Sequence, residues 1–311
     1  MKAAQINEYG HADAVHVVEV EKPTVKDGSV LVEVHASSIN PWDTTVREGY
    51  VKDMIPLELP VTLGGDFAGV VLELGVGVTH LSAGDKVYGQ AQVVAGNSGA
   101  FAEYAVTKDS EIARMPSNLD FSEAAAAPLT GLSALQVITS HLKLQAGQKV
   151  LIHGGAGGIG TIAIQIAKHI GAYVATTATG EGLDYVKQLG ADEVIDYKTQ
   201  QFDELLHDYD AVFDTVGGDT YDRSFKVLKQ GGVIASMLAQ PNQELMEQYG
   251  VTALHQMTKT STESLNALTK LIEDGVVTIH VDKTYPLEQI SEAFEARESG
   301  SVRGKIVVTI R

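Results

Sequence analysis

Gly155-Ala156-Gly157-Gly158-Ile159-Gly160 has the spacing GxGxxG, in which each glycine answers a different need. The first permits a tight turn, the second lets the backbone approach a pyrophosphate, and the third lets a helix pack close to a sheet. An apolar run, Val150-Leu151-Ile152, precedes the loop, and a segment rich in alanine and isoleucine follows it. That strand–loop–helix context is what a dinucleotide fingerprint requires, with the amino end of the helix facing the phosphates. The chemistry implied is hydride transfer with a nicotinamide dinucleotide. NAD sites place an acidic residue about 20 positions further on, to accept the ribose hydroxyls. This chain has Ala175-Thr176-Thr177-Ala178-Thr179 there. With no carboxylate to repel a 2′-phosphate, NADPH is the expected cofactor. Glu181 comes too late for the ribose and is expected to cap the next helix near its positive end.

Other chemistries lack their residues. The chain has no cysteine, which excludes disulfides, thiolate nucleophiles and cysteine-ligated zinc. Its ten histidines form no HExxH or clustered pattern, so no metal site is expected. His153, just before the glycine loop, reads as structural. No serine sits in a GxSxG elbow, so hydrolase chemistry has no support. The formal charge of −17 repels phosphate backbones and anionic membranes, and nucleic acid is not an expected partner. No apolar run approaches the roughly 18 residues of a membrane helix. The opening MKAAQINEYG has no apolar core of the signal-peptide kind, and a cytoplasmic location is expected.

The elements that must position the loop follow from periodicity. Strands are expected at Lys2 to Ile6, Val15 to Val20, Val30 to Ala36, Phe67 to Leu74, Lys86 to Tyr88 and Phe101 to Val106, with frequent glycines between them. Near Pro116 the texture changes. A helix is expected from Phe121, capped by Ser122 and interrupted at Pro128, and a second from Ser133 to Leu142. Strand and helix patterns then alternate from Lys149 to Met237, which implies a parallel, doubly wound sheet. After Thr260 an amphipathic helix carries Leu265, Leu268, Leu271 and Ile272 on one face. A last strand, Lys305 to Ile310, is expected to return to the first domain. The expected fold class is α/β, a Rossmann doubly wound domain plus a barrel-like substrate domain.

These segments resemble a known family. Val150-Leu151-Ile152-His153 with the glycine loop, and Gly190-Ala191-Asp192-Glu193-Val194-Ile195-Asp196-Tyr197, are similar to the medium-chain dehydrogenase/reductase superfamily. Within it the chain resembles the zinc-independent quinone oxidoreductases, the zeta-crystallin-like branch. Ser38-Ile39-Asn40-Pro41-Trp42-Asp43, Leu63 to Gly69, Pro128-Leu129-Thr130-Gly131, Asp214-Thr215-Val216-Gly217-Gly218 and Arg303-Gly304-Lys305 carry the same likeness. The resemblance implies a GroES-like substrate domain at 1–121, a Rossmann domain at 122–262 and a C-terminal return at 263–311. It also puts Asn40, Gly65 and Ala126 where the alcohol dehydrogenases hold a catalytic zinc. None of the three is a zinc ligand of the required kind, and Asp66 beside them is expected to hydrogen-bond locally.

The resemblance implies that Asn40, Arg47, Tyr50 and Thr130 line the nicotinamide and substrate cleft. Asn40 and Tyr50 would be the catalytic donors to the acceptor oxygen, although Tyr50 could equally pack a loop and Arg47 could be a surface charge. The glycine loop, Thr130 and Val216 would hold the dinucleotide, and Thr179, Tyr197, Arg303 and Lys305 its adenosine-phosphate side. Relatives carry a lysine or arginine early in the second helix, where this chain has Gly182. A quinone or enone spreads developing charge by conjugation, so a few donors can replace a Lewis acid. The expected function is therefore an NADPH-dependent quinone or enone reductase, acting as a homodimer. The alternative is a non-catalytic NADPH-binding sensor or structural protein, since fold does not fix function.

Overall fold

The computed structural model describes residues 1–300 and 302–311. Its contacts divide the chain into two units, Met1–Leu129 with Thr260–Asp274 and Ile279–Arg311, and Thr130–Lys259 with Gly275–Thr278. The divisions fall near 129/130 and 259/260, against the 121/122 and 262/263 read from the sequence. Among the described residues no helix is long and apolar enough to cross a membrane.

The first unit begins with β1 (Lys2–Ile6), β2 (Val15–Glu19), β3 (Ser29–Ser38), α1 (Pro41–Arg47), β4 (Val61–Thr62), β5 (Asp66–Leu74), β6 (Lys86–Gln90), β7 (Tyr104–Lys108), β8 (Ile112–Arg114) and α2 (Phe121–Ala126). α2 starts from an Asp120 cap and not from Ser122. The Asp120 carboxylate accepts from the Glu123 amide at 2.8 Å, and the Glu123 carboxylate accepts from the Asp120 amide at 3.1 Å. This reciprocal box satisfies two otherwise orphaned donors. Pro128 opens α3 (Pro128–Gln136), which runs on into a π turn at Val137–His141. Proline is tolerated in a first helical turn, where no intrahelical amide bond is lost.

The second unit continues with β9 (Lys149–Ile152), α4 (Gly158–Ile170), β10 (Tyr173–Ala178), α5 (Gly182–Gln188), β11 (Glu193–Asp196), α6 (Phe202–Leu205), β12 (Tyr209–Asp214), α7 (Asp219–Ser224), β13 (Leu228–Ser236), α8 (Gln243–Tyr249) and β14 (Thr252–His255). Its six strands are all parallel, in the order β11-β10-β9-β12-β13-β14. This is the doubly wound order. The register sets Ala178 beside Asp196 and Asp214 beside Ser236, so the carboxyl ends of the strands share one edge. Between β9 and β12 the winding reverses, and a crevice opens at that edge.

The chain then returns to the first unit through α9 (Thr262–Glu273), β15 (Val281–Pro286), α10 (Ile290–Glu298) and β16 (Lys305–Thr309). β16 pairs antiparallel with β3, Val308 opposite Ser37. The terminal strand therefore completes the first sheet, whose core includes Val30, Val32, Val34, Phe67 and Val87. A smaller sheet, β2-β1-β4, packs its Ala4 and Ile6 with Phe101, Phe294 and Ile306.

Candidate functional site

The glycine loop leaves β9 and enters α4 with Gly157 as N-cap. Gly154 has a positive φ of 67°, and its amide donates to Thr177 Oγ1 at 3.1 Å. The Gly155 amide donates to the Thr177 carbonyl at 2.9 Å. Two of the motif glycines are demanded by the protein itself. A Cβ on Gly155 would lie 2.0 Å from Thr176 Oγ1, and one on Gly160 would lie 2.3 Å from the Gly154 carbonyl. Gly157 differs. Its φ of −79° suits any residue, and a Cβ there would meet only the Gly154 carbonyl, at 3.3 Å. The missing side chain at 157 leaves room for something outside the chain. The first amides of α4 have no intrahelical partner, which makes this a site for an anion such as a pyrophosphate.

Beside the loop lies a cavity of about 380 Å³ whose lining includes His153, Thr177, Tyr197, Phe202, Val216 and Arg223. It occupies the carboxyl edge of β9, β10, β11 and β12, and the expected residues Tyr197 and Val216 meet there. Tyr197 is 54% exposed and Val216 49%, an aromatic face and a branched aliphatic of the kind that hold an adenine ring. The Asp214 carboxylate shapes the Val216 loop, accepting from the amides of Val216 at 2.9 Å and Gly217 at 3.0 Å, and from Ser236 Oγ at 2.6 Å. Arg223, which the sequence reading passed over, bonds Asp203 and Gln201 and lies over the Phe202 ring. That contact holds the Asp203 carboxyl down at about 2. Gln200, Gln201 and Thr220 also line the cavity. No motif marks these residues; they arrive from two separate segments, one after β11 and one after β12.

Thr179 follows β10 and turns its hydroxyl toward Asp196. Bonds from the Lys198 amide and the Thr179 hydroxyl hold the Asp196 carboxyl below its ordinary range. Gly182 is buried, and a Cβ there would lie 2.9 Å from Ala156 Cβ. A side chain at this position would therefore meet the glycine loop's own methyl. Thr177 is also largely interior, 3% exposed.

In the first unit several of the expected residues lie in the interior. Asn40 is 1% exposed. Its Nδ2 donates to Asp66 Oδ2 at 2.9 Å, and its Oδ1 accepts from Lys305 Nζ at 2.5 Å. One Nδ2 hydrogen and the Oδ1 are engaged inside the protein, which makes Asn40 a hub of the unit's interior. Lys305, expected beside a phosphate, is 5% exposed and also donates to the Ile39 carbonyl at 2.6 Å. Burial brings its ammonium down to about 8, against the pull of Asp66 and Asp43. Burial pushes Asp66 up, opposed by Lys305 and by donors from Asn40, Gln90 and Leu129. It pushes Asp43 up to about 7, although the Asn40 amide donates to it at 2.7 Å.

Arg47 neither lines a cleft nor sits on the surface. Its side chain is fully buried, bonded to the Gly10 carbonyl at 3.1 Å, paired with Glu48 and Glu298, and packed over Phe294. Tyr50, in contrast, is 75% exposed. Arg303 lies 3.8 Å from Asp282, and Thr130 is buried on α3.

Residues 26–117 match the alcohol dehydrogenase GroES-like domain, and residues 189–308 match the zinc-binding dehydrogenase family. A chloroplast envelope quinone oxidoreductase homolog of Arabidopsis thaliana is 33% identical over 326 residues, covering 99% of this chain and 98% of that protein. The chain belongs to the quinone oxidoreductase family of medium-chain dehydrogenases/reductases. Another member from that plant, a chloroplastic NADPH-dependent alkenal/one oxidoreductase, is 33% identical over 319 residues, covering 99% of this chain and 79% of its own. The quinone oxidoreductase structure from Coxiella burnetii superimposes with a TM-score of 0.93 at 35% identity, covering 100% of this chain and 99% of that one. That of Escherichia coli quinone oxidoreductase complexed with NADPH gives 0.90 at 28%, covering 100% of both. As a member of this family the chain combines a GroES-like unit with a Rossmann unit. Among the described residues no three His, Cys, Asp or Glu side chains are grouped to hold a metal.

Proposed function

We propose that this oxidoreductase uses NADPH to reduce a quinone or another conjugated carbonyl such as an enone, without a metal. The observation that carries the reading is the open Gly157 at the start of α4, and the resemblance supports the metal-free part by setting Asn40, Gly65 and Ala126 where other dehydrogenases hold zinc. The relatives named for quinones, alkenals and NADPH support it. The bound nicotinamide would supply the hydride. The Gly157 backbone and the start of α4 would hold the pyrophosphate, Tyr197 and Val216 the adenosine, and Thr130 and Arg303 further parts of the dinucleotide. A conjugated acceptor spreads the incoming charge over several atoms, so hydrogen-bond donors replace the Lewis acid that an isolated carbonyl needs. Solvent or the exposed Tyr50 hydroxyl would deliver the proton.

The test is NADPH consumption by extensively chelated protein, run against a panel of quinones and enones beside simple aldehydes and ketones. Turnover is expected with the conjugated acceptors alone, and elemental analysis is expected to find no stoichiometric zinc. Activity that vanishes with a bound metal would end the metal-free reading. NADPH binding without consumption of any acceptor would favour a sensor or structural role.

A further inference from the structure

His153 is 1% exposed, follows β9, and is among the residues that line the cavity. Its ring Nδ1 is 3.2 Å from Thr177 Oγ1 on β10, and its Nε2 is 2.9 Å from Ser224 Oγ on α7. Phe202 packs edge-on against the ring, with centroids 4.6 Å apart. The Ser224 hydroxyl has one proton, and it goes to the Thr220 carbonyl at 2.6 Å. Toward the imidazole Ser224 can therefore only accept, so the ring proton is on Nε2. Nδ1 is then bare and accepts from the Thr177 hydroxyl. That leaves the Thr177 oxygen free to accept from the Gly154 amide at 3.1 Å. Every donor in the chain Gly154, Thr177, His153, Ser224, Thr220 has one acceptor, and all the bonds run in one direction.

We propose that His153 is a positioning residue for the dinucleotide site, a neutral Nε2–H imidazole that holds Gly154 through Thr177 and ties the glycine loop to α7. The assignment rests on the reading of the loop as the NADPH phosphate site. The chain of bonds turns the Gly154 amide inward and leaves the first amides of α4 for phosphate. It also joins the glycine loop to Thr220 and Ser224 of α7, so the loop and the cavity's α7 wall are fixed as one piece.

The tautomer is tested first, by nitrogen-15 NMR of the histidines with His153→Phe identifying the resonance. A neutral ring protonated on Nε2 at neutral pH is expected; an Nδ1–H ring or an imidazolium would overturn the proposal whatever the cofactor does. Steady-state kinetics follow. Thr177→Val keeps shape but removes the hydroxyl, and is expected to raise the KM for NADPH about tenfold, the worth of one hydrogen bond, with kcat unchanged. Thr177→Ser should restore the wild-type KM. His153→Phe combined with Thr177→Val should be no worse than the poorer single variant, because both cut one chain. Folded variants with an unchanged KM, or additive effects, would overturn the positioning role. Gly157→Val, measured alongside, separates the two layers. If it also leaves NADPH binding intact, the phosphate site itself is misassigned and the role of His153 falls with it, while the NMR result stands alone.

Discussion

Valine at 157 brings its Cβ to 3.3 Å from the Gly154 carbonyl, a contact the loop relieves by a small shift, and its methyls project where a pyrophosphate would lie. Gly157→Val is therefore expected to fold normally and to lose at least about a hundredfold in NADPH affinity, roughly 3 kcal/mol, by calorimetric titration. Wild-type affinity in the folded variant would show that phosphate binds elsewhere. Valine at 155 or 160 is a different experiment, because its Cβ would overlap Thr176 or the Gly154 carbonyl outright. The same reasoning applies to cofactor preference. A lysine at 182 would be driven into Ala156, and an aspartate at 177 would bury a charge under Gly154. Neither position can be used to retune the 2′-phosphate site without disturbing the loop.

Among the elements, α1 and α10 depend on one buried arginine. The Arg47 guanidinium joins the Gly10 carbonyl, Glu48 at the end of α1 and Glu298 at the end of α10. Arg47→Met keeps much of the stem but leaves Glu48, with a side chain 11% exposed, without its cation. Removing one partner of a buried pair costs about 3 kcal/mol or more. Urea denaturation should show a loss of that order, and an unchanged midpoint would mean the pair contributes no net stability. The sequence concealed this arrangement for a physical reason. Arginine, lysine and aspartate are read as surface residues, because they are buried only when paired. Here the partners come from the far end of the chain: Lys305 reaches Asn40 across 265 positions. α1 carries too few apolar residues for a period to show, and β8 is three residues long. The βα alternation and the glycine loop were legible because their signals are local. The Arg223 side of the cavity was not, because it is assembled from several turns of chain.

Acidity acts on the whole molecule in two opposed ways. With a formal charge of −17 and a pI of about 4.9, the chain repels itself at neutral pH, and acidification toward the pI relieves that repulsion. His153 pulls the other way. Burial, assisted by Arg223 and opposed by Asp214, brings its pKa down from 6.5 to about 4. Unfolded chain therefore takes up a proton near 6.5 that the folded protein refuses until about 4. The stability tied to the neutral ring is complete above 6.5 and is lost as the pH falls toward 4. The ring is essentially unexposed, and the linkage amounts to roughly 3 kcal/mol across that window. Asp214 on β12 and Arg223 on α7 are the charges that face it, and both persist in a His153→Phe variant. Subtracting the two stability curves removes the general charge effect, which the proteins share. Between about pH 7 and about pH 4.5 the wild type should lose roughly 2–3 kcal/mol relative to the variant. Parallel curves in urea denaturation would show that folded and unfolded His153 take up their proton over the same pH range, and the burial of a neutral ring would then contribute no pH-dependent stability.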